Sequence, residues 1–168
     1  MKFIKVGLVG IGAQMKENLL PTLLQIHGIR IVAACDADTL RAEQIHRLIP
    51  KIPITDNVSA MLDSEHVDAI VMAGPPKMHQ EAALIAMQRG VSVFVEKPPC
   101  STLAELENLV AVASRYSVTT GVGMNFKFAK PIRQLHEITT KSEFGDTLHV
   151  QLNHYASKPR TTLSRCGD

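Results

Sequence analysis

Two glycines near the start of the sequence have the spacing of a phosphate-binding turn. Gly10 and Gly12 lie in "GLVGIGAQM", directly after an apolar run and before a helical pattern that begins at Ala13 and Gln14. The first glycine would make the tight turn, the second would let a pyrophosphate approach the backbone, and the helix N-terminus would supply N–H donors. Met15 occupies the third motif position, where glycine or alanine would allow close helix–strand packing. The alternative is that the glycines only shape a strand-to-helix turn.

An acidic residue follows the second apolar run at roughly the expected distance from these glycines. Asp36 ends "IRIVAACD". A carboxylate at the end of a second strand can accept hydrogen bonds from both ribose hydroxyls of an adenosine, and it would repel a 2′-phosphate. The pair of features therefore predicts binding of NAD in preference to NADP. The alternative for Asp36 alone is a polar strand end or a helix cap.

A charged pair ends a third apolar run. Glu96 and Lys97 follow "VSVFV", and Pro98 and Pro99 come directly after them. A simple explanation is available, because strands often become charged where they leave the core and proline cannot continue a β-ladder. The alternative is that the strand delivers the lysine to a site where its charge is used.

Short β-branched runs alternate with longer helical segments through residue 124, which predicts parallel βαβ units. Right-handed crossovers then place helices on both faces, giving an α/β fold with a doubly wound parallel sheet of the Rossmann type. Pro21 is expected to kink the first helix, and Asp38 and either Ser101 or Thr102 are expected to cap later ones. The predicted strands cover residues 2–9, 29–35, 51–55, 67–74, 91–96 and 118–125, and the predicted helices cover residues 13–27, 39–49, 57–63, 76–89 and 103–116.

The composition is that of an ordinary globular protein, with 18 basic and 16 acidic residues and a net charge of +2. This balance argues against nucleic acid or an anionic membrane as a partner. No run approaches the roughly 18 apolar residues that a membrane-spanning helix needs. The N-terminal run contains glycines and is typical of a strand rather than a signal peptide. Three scattered cysteines suggest neither a zinc site nor a disulfide framework, which favours a reducing cytoplasm.

The segment from Val67 to Cys100 resembles the glucose–fructose oxidoreductase and inositol dehydrogenase family (Gfo/Idh/MocA). Members of that family have a strand that ends in proline, a histidine four residues later, and a Glu-Lys-Pro sequence after the next strand. Here these are Pro75, His79 and Glu96-Lys97-Pro98. The later "GVGMNFKFAKPIRQL" is similar to the family's crossing segment, with Lys127 where arginine is common.

This resemblance implies an NAD-dependent oxidoreductase acting on a secondary alcohol of a sugar, polyol or sugar derivative. Lys97 would be the catalytic residue, hydrogen-bonding the reacting oxygen and helping to move its proton. The Lys97–Pro98 bond is often cis in the family, and Glu96 would orient the loop or contact the nicotinamide ribose. The implied cofactor-binding residues are Gly10, Gly12, Ala13, Gln14, Asp36, Gly74, Pro75, His79, Glu96, Lys97 and Asn125, with no metal ligand.

The pattern changes after Met124, so residues 1–124 are expected to form the dinucleotide-binding domain and residues 125–168 the crossing segment and the start of an α+β second domain. A helix is predicted at 128–141 and a strand at 147–156. The resemblance implies that most of the substrate domain is missing, and the family's D-x-x-x-H motif is absent. A strand without a partner favours a homodimer through residues 147–155. The alternative is that this segment is disordered or folds back on the first domain. Two alternatives to the oxidoreductase function are open. The chain could be a non-catalytic NAD-binding module, or a Rossmann protein that binds another nucleotide or none.

Overall fold

The computed structural model describes residues 3–153. The chain divides into two compact units, Met1–Met124 and Asn125–Asp168. No helix in the part of the chain that the structure describes is long and apolar enough to cross a bilayer.

The first unit is built on one sheet of six parallel strands in the order β3-β2-β1-β4-β5-β6. This confirms the predicted α/β fold. The chain winds outward from β1 in one direction and then, from β4, in the other. The switch point between β1 and β4 is where sheets of this kind leave a crevice at the carboxyl ends of their strands. The strands are β1 (Ile4–Val9), β2 (Ile29–Cys35), β3 (Ile54–Thr55), β4 (Ala69–Met72), β5 (Ser92–Val95) and β6 (Thr120–Val122).

Helices connect these strands, and local side chains fix where several of them begin. Asp38 accepts hydrogen bonds from the N–H groups of Leu40 and Arg41, as predicted. Thr102, rather than Ser101, is the cap of its helix and forms a reciprocal capping box with Glu105. The α-helices of this unit are α1 (Leu20–Leu23), α2 (Thr39–Leu48), α3 (Val58–Ser64), α4 (Pro76–Gln88) and α5 (Leu103–Tyr116).

The helix after the glycine turn differs from the prediction. Its segment Met15–Leu19 is a π-helix, which leads directly into the short α1 that carries Pro21 and ends at Leu23. A proline lacks the N–H that an α-helix uses and its ring crowds the preceding turn. A widened turn beside the proline relieves that crowding. A small residue at position 15 would let the helix and the strand pack closely. Here the side chain of Met15 is fully buried and fills the space between them.

Two hydrophobic cores lie on the two faces of the sheet. One contains Leu8, Ile11, Met15, Leu20 and Ile45, and it joins the first helical segment and α2 to the sheet. The other joins α3, α4 and α5 to the opposite face, and its members include Met61, Ile70, Met72, Ala86, Val93 and Leu109. Because both faces are covered, the central strands are apolar on both sides, as a doubly wound sheet requires.

The second unit contains a 3-10 turn at Asn125–Phe128, the helix α6 (Lys130–Thr139) and a 3-10 turn at Ser142–Phe144. The strand predicted at 147–156 is not formed over 147–153, where the backbone has no regular structure. A β-strand exists only where a neighbour accepts and donates its ladder hydrogen bonds, and no residue that the structure describes pairs with this segment. The remainder of the predicted strand, from His154, lies outside the described residues.

Candidate functional site

The turn after β1 contains two glycines whose surroundings differ. Gly10 has φ +79°, and a Cβ there would collide with the carbonyl oxygen of Ala73 on the neighbouring strand's end. Its N–H donates to the Cys35 carbonyl oxygen at 2.9 Å. The backbone at position 10 therefore requires glycine for structural reasons. A Cβ at Gly12 would meet nothing within 4 Å, so the protein itself gives no reason for the absence of a side chain there.

The helix that follows presents free N–H groups at this opening. Its first backbone hydrogen bond runs from the N–H of Lys16 to the carbonyl oxygen of Gly12 at 3.1 Å. The N–H groups of residues 13–15 consequently have no acceptor within the helix. Exposed Ala13 and Gln14 lie beside Gly12 in this first turn. The arrangement suits a pyrophosphate, which brings acceptor oxygens and negative charge to a helix N-terminus.

Asp36 ties the glycine turn to the loop after β2. Its carboxylate accepts from the N–H of Ile11 at 2.5 Å and from the N–H of Asp38 at 2.8 Å. The two carboxylate oxygens offer about four acceptor positions in all, so acceptor capacity remains for a ligand's hydroxyl groups. The sequence placed Asp36 at the site, but it did not indicate that the residue also holds the turn itself.

Asp36 lines a cleft of about 500 Å³, here called the Asp36 cleft. One wall is apolar, formed by Met78, Ala82 and Ile85 of α4, and is suited to the flat face of a base. The lining also includes polar groups at Asp56, Asn57 and Ser59. Three carboxylates face the cleft, from Asp36, Asp56 and Glu81. The cation that lines it, Arg41, pairs with Asp38 at 3.3 Å. The field in this cleft therefore disfavours an additional phosphate.

A second cleft of about 300 Å³, here called the Lys97 cleft, adjoins the first. The two clefts share Gly12, Ala73 and Gly74 as lining residues. The Lys97 cleft is otherwise lined by Ala13, Gln14, Glu96 and Lys97. The structure thus brings together, along one crevice at the carboxyl edge of the sheet, nine of the predicted site residues, which are Gly10, Gly12, Ala13, Gln14, Asp36, Gly74, Pro75, Glu96 and Lys97.

Lys97 and Glu96 differ sharply in their surroundings. Lys97 is exposed, and its ammonium group has no hydrogen-bond or ion-pair partner among residues 3–153. Glu96 is 8% exposed, yet no residue in the described range donates a hydrogen bond to its carboxylate. A Cβ added to Gly123 would lie only 2.7 Å from Oε1 of Glu96, so the carboxylate packs directly against that glycine. The Lys97–Pro98 peptide bond is cis, as the family resemblance implied.

The predicted contact of His79 with the cofactor stays a prediction. The side chain is fully buried and is not among the lining residues of either cleft. Its ring instead bonds to the backbone of two turns that do line the crevice, at Gly74 and Pro98. The first turn of α4 fixes its position, since the N–H of His79 donates to the Pro75 carbonyl oxygen. Asn125 belongs to the second unit, and its predicted role at the site stays a prediction.

Several lining residues of the Asp36 cleft were not predicted from the sequence, among them Asp56, Met78 and Glu81. Two other missed residues shape the site through their backbone. Ala73 lines both clefts and its carbonyl oxygen is the reason for glycine at position 10, but an alanine at a strand end carries no chemical signal. Gly123 leaves the space that the Glu96 carboxylate occupies. The sequence signal for this contact was a glycine at the end of a short strand pattern, which indicates close approach of another group.

Cys35 is a buried wall residue of the Asp36 cleft rather than a reactive group. Burial, together with the nearby carboxylates of Asp36 and Asp56, raises the pKa of its thiol to about 11. Only the thiolate is a strong nucleophile. The Cys35 thiol is therefore unreactive near neutral pH.

The residues present fit a dinucleotide. The open position at Gly12 and the free N–H groups suit a pyrophosphate, and the Asp36 cleft suits an adenosine with two free ribose hydroxyls. The Glu96 carboxylate, which lines the Lys97 cleft and accepts no hydrogen bond from a described residue, suits a second set of hydroxyls. The fit rests on acceptors, donors and space that the protein does not use for itself.

Comparison with known proteins agrees with this geometry. Residues 4–124 match a family model described as an oxidoreductase family with an NAD-binding Rossmann fold. The crystal structure of a dehydrogenase from Chromobacterium violaceum is 65% identical in sequence, with a TM-score of 0.88, and the alignment covers 95% of this chain and 47% of that one.

Two sequence relatives are named for their substrates. Inositol 2-dehydrogenase 4 from Saccharopolyspora erythraea is 32% identical over 139 residues, which are 79% of this chain and 41% of that protein. D-apiose dehydrogenase from Paraburkholderia graminis is 31% identical over 133 residues, which are 79% of this chain and 35% of that protein. The chain thus spans less than half the length of each of these relatives.

Proposed function

The chain belongs to the Gfo/Idh/MocA oxidoreductase family, whose NAD-binding domain has a Rossmann fold, and from that premise we propose that it binds NAD across the two clefts for hydride transfer to and from a secondary alcohol. The observation that carries the proposal is the continuity of the crevice. The Asp36 cleft and the Lys97 cleft meet at Gly12, beside the free N–H groups of a helix.

The polarity of the bound cofactor follows from the two ends of this crevice. The adenosine lies in the Asp36 cleft, where its ribose hydroxyls donate to the carboxylate and its base packs on the apolar wall of α4. The pyrophosphate lies at Gly12. The nicotinamide ribose lies in the Lys97 cleft, where its hydroxyls donate to Glu96, a carboxylate that lines this cleft and has no donor among the described residues.

NAD is preferred over NADP. A 2′-phosphate on the adenosine ribose would approach Asp36 and would share the cleft with the carboxylates of Asp56 and Glu81. Like charges that are close together in a cleft repel strongly, because water is partly excluded there. Arg41 offers only partial compensation, because Asp38 already occupies it.

Lys97 is proposed as the catalytic residue. Bound NAD supplies the hydride acceptor, and NADH the donor. In the direction of carbonyl reduction the Lys97 ammonium donates a hydrogen bond and then its proton to the oxygen on which negative charge develops. In the direction of alcohol oxidation the free amine takes that proton back. An exposed lysine with no ion-pair partner in the described part of the chain is available for both steps.

The substrate class is taken from relatives. One relative at 32% identity is named for inositol and another at 31% for D-apiose. We propose that the whole protein's substrate is a polyol, sugar or sugar derivative. Such molecules present the secondary hydroxyl that the lysine and the nicotinamide require.

The polarity can be tested with the two halves of the cofactor. Adenosine monophosphate and nicotinamide mononucleotide would be titrated separately into the ¹⁵N-labelled chain, and backbone amide shifts would be followed. The first should shift amides around Asp36 and the second those around Lys97, while both should shift Gly12. Shifts at the same cleft for both halves, or at neither, would contradict the assignment.

The lysine can be tested in a full-length relative that carries the same Glu-Lys-Pro sequence. Lys97→Ala is expected to lower kcat by about 10²-fold or more, in line with the usual contribution of an acid–base group, and to change the Kd for NAD much less. A variant with near-normal kcat would return Lys97 to the role of a charged strand end.

We also propose that the chain forms homodimers through residues 147–155, in the cytoplasm and without nucleic acid. Leu148, Val150 and Leu152 are 95%, 68% and 71% exposed, so this segment has an apolar edge without cover. Buried Cys35 and part-buried Cys100 are free thiols, which suits a reducing compartment. Light scattering on the whole chain and on a version that ends at Thr140 tests the dimer, since only the longer one should associate.

A further inference from the structure

The imidazole of His79 joins the two turns that form the walls of the crevice. The N–H of Gly74, after β4, donates to Nε2 at 2.8 Å. Nδ1 lies 2.8 Å from the carbonyl oxygen of Pro98, after β5. The side chain is fully buried, and both of its polar atoms are used.

These partners determine the proton's position on the ring. A backbone N–H can only donate and a carbonyl oxygen can only accept. Nε2 must therefore be the unprotonated nitrogen, and Nδ1 must carry the hydrogen that it donates to Pro98. Any other protonation state would set two donors against each other at Gly74 or two acceptors against each other at Pro98.

The Lys97 turn needs such an outside donor. Pro98 and Pro99 have no N–H groups, so the backbone of this turn cannot hold itself in place by donating hydrogen bonds at either residue. The carbonyl oxygen of Pro98 remains, and His79 is the group that binds it. On the other side Gly74 lines both clefts, so the same ring also fixes their shared wall.

We propose that His79 is a positioning residue that couples the Gly74 turn to the Lys97 turn, and so sets the spacing between the shared wall of the clefts and the proposed catalytic lysine. The coupling is a property of the free protein. Only its consequence for ligands rests on the proposed function.

Three substitutions separate the two hydrogen bonds. The amide of Asn reaches the position of Nδ1, so His79→Asn can keep the donor to Pro98 while it loses the acceptor for Gly74. The amide of Gln reaches the position of Nε2, so His79→Gln can keep the acceptor for Gly74 while it loses the donor to Pro98. His79→Leu fills the space and keeps neither bond.

The first measurement needs no ligand. Long-range ¹H–¹⁵N spectra of the chain, with His79 assigned by its absence in the Gln variant, should show the Nδ1–H tautomer. In backbone spectra the Gly74 amide should shift in the Asn variant and hold its position in the Gln variant, and the Lys97 and Cys100 amides should do the reverse. An Nε2–H tautomer, or the same pattern of shifts in both variants, would overturn the proposal. A ring that only fills volume predicts that same pattern in both.

The second measurement uses the cofactor halves. Loss of one hydrogen bond to a part-buried group corresponds to about a tenfold change in affinity. The Gln variant should bind nicotinamide mononucleotide about tenfold more weakly, with adenosine monophosphate unchanged, while the Leu variant should weaken both. Equal weakening of both halves by Gln would overturn the coupling.

If the wild-type chain binds neither half, the proposed function fails, and the tautomer and amide shifts still decide the role of His79. Should the Leu variant not fold, the wild-type tautomer and the Asn and Gln pair are sufficient.

Discussion

Replacing Asp36 by Asn removes one negative charge from the Asp36 cleft and nearly preserves the shape of the side chain. The amide oxygen can accept from only one of the two N–H groups, of Ile11 and Asp38, that the carboxylate now binds. The amide nitrogen then faces the other donor. The substitution is therefore expected to destabilise the free protein by about 1–3 kcal/mol, the usual effect of leaving one part-buried donor without a partner.

The effect on cofactor affinity has the opposite sign for the two cofactors. Two unit charges about 8 Å apart interact by about 2 kcal/mol at an effective dielectric constant of 20, and by about 4 kcal/mol at half that distance. A 2′-phosphate carries between one and two charges, so a wild-type preference for NAD of about a hundredfold, or 2.7 kcal/mol, is a conservative expectation. In Asp36→Asn the repulsion from position 36 is lost and the hydroxyl acceptor is weakened, so the two dissociation constants should move closer together, with the remaining difference due to Asp56 and Glu81.

Calorimetric titration of NAD and NADP into the wild type, Asp36→Asn and Glu81→Gln tests this expectation. Glu81 lines the same cleft but has no bond to the glycine turn, so it is the matched control for the general field. A third variant, Asp36→Asn with Arg41→Ala, should bind NADP more weakly than Asp36→Asn alone, because Arg41 is then the nearest cation to a 2′-phosphate.

The reasoning would be refuted by a wild-type chain that binds NADP as tightly as NAD. It would also be refuted if Glu81→Gln changed the ratio of the two dissociation constants as much as Asp36→Asn does. In that case the selectivity would come from the net charge of the cleft and not from a carboxylate at the ribose.

Three further predictions follow from single contacts. Gly10→Ala forces φ +79° on a side chain that collides with the Ala73 carbonyl oxygen, so thermal denaturation should show a loss of more than about 2 kcal/mol. Gly123→Ala must displace the Glu96 carboxylate and should weaken nicotinamide mononucleotide while adenosine monophosphate binds normally; weakening of both in titrations would count against this. Burial raises the pKa of the Cys35 thiol from 9.0 to about 11, so the unfolded chain loses the proton first. The free energy of unfolding should then fall by up to about 2–3 kcal/mol between pH 9 and pH 11 in denaturant titrations, and Cys35→Ala should lack this part of the fall.

Local chemistry in the sequence predicted most of the first unit. The alternation of strands and helices, the caps at Asp38 and Thr102 and the glycine turn all depend on residues close together in the chain. Gly12, Asp36 and Lys97 could be assigned to one crevice because parallel strands end at the same edge of a sheet.

The features that the sequence did not predict depend on contacts between residues that are distant in sequence. A histidine at position 79 gives no sign that its partner is a carbonyl group 19 residues later, so its bond to the Lys97 turn could not be predicted. The packing of the Glu96 carboxylate against Gly123 is also a contact between residues distant in sequence. Met15 put only the close helix–strand packing of the motif in question, and the structure shows the long side chain fully buried at the start of a π-helical turn. The segment 147–153 has the alternation of a strand, but pattern alone does not supply a neighbour to pair with.

The central claim is that NAD binds along the crevice with its pyrophosphate at Gly12, and one paired titration tests it most directly. NAD would be titrated calorimetrically into the wild type and into Gly12→Ala, with the thermal unfolding of both recorded. A Cβ at this position meets no protein atom within 4 Å, so the two melting temperatures should agree. The methyl group would occupy the space of the pyrophosphate, so the Kd for NAD should rise by about tenfold or more, which corresponds to about 1.4 kcal/mol. A stable Gly12→Ala chain that binds NAD as tightly as the wild type, or a wild type that gives no binding, would contradict the account.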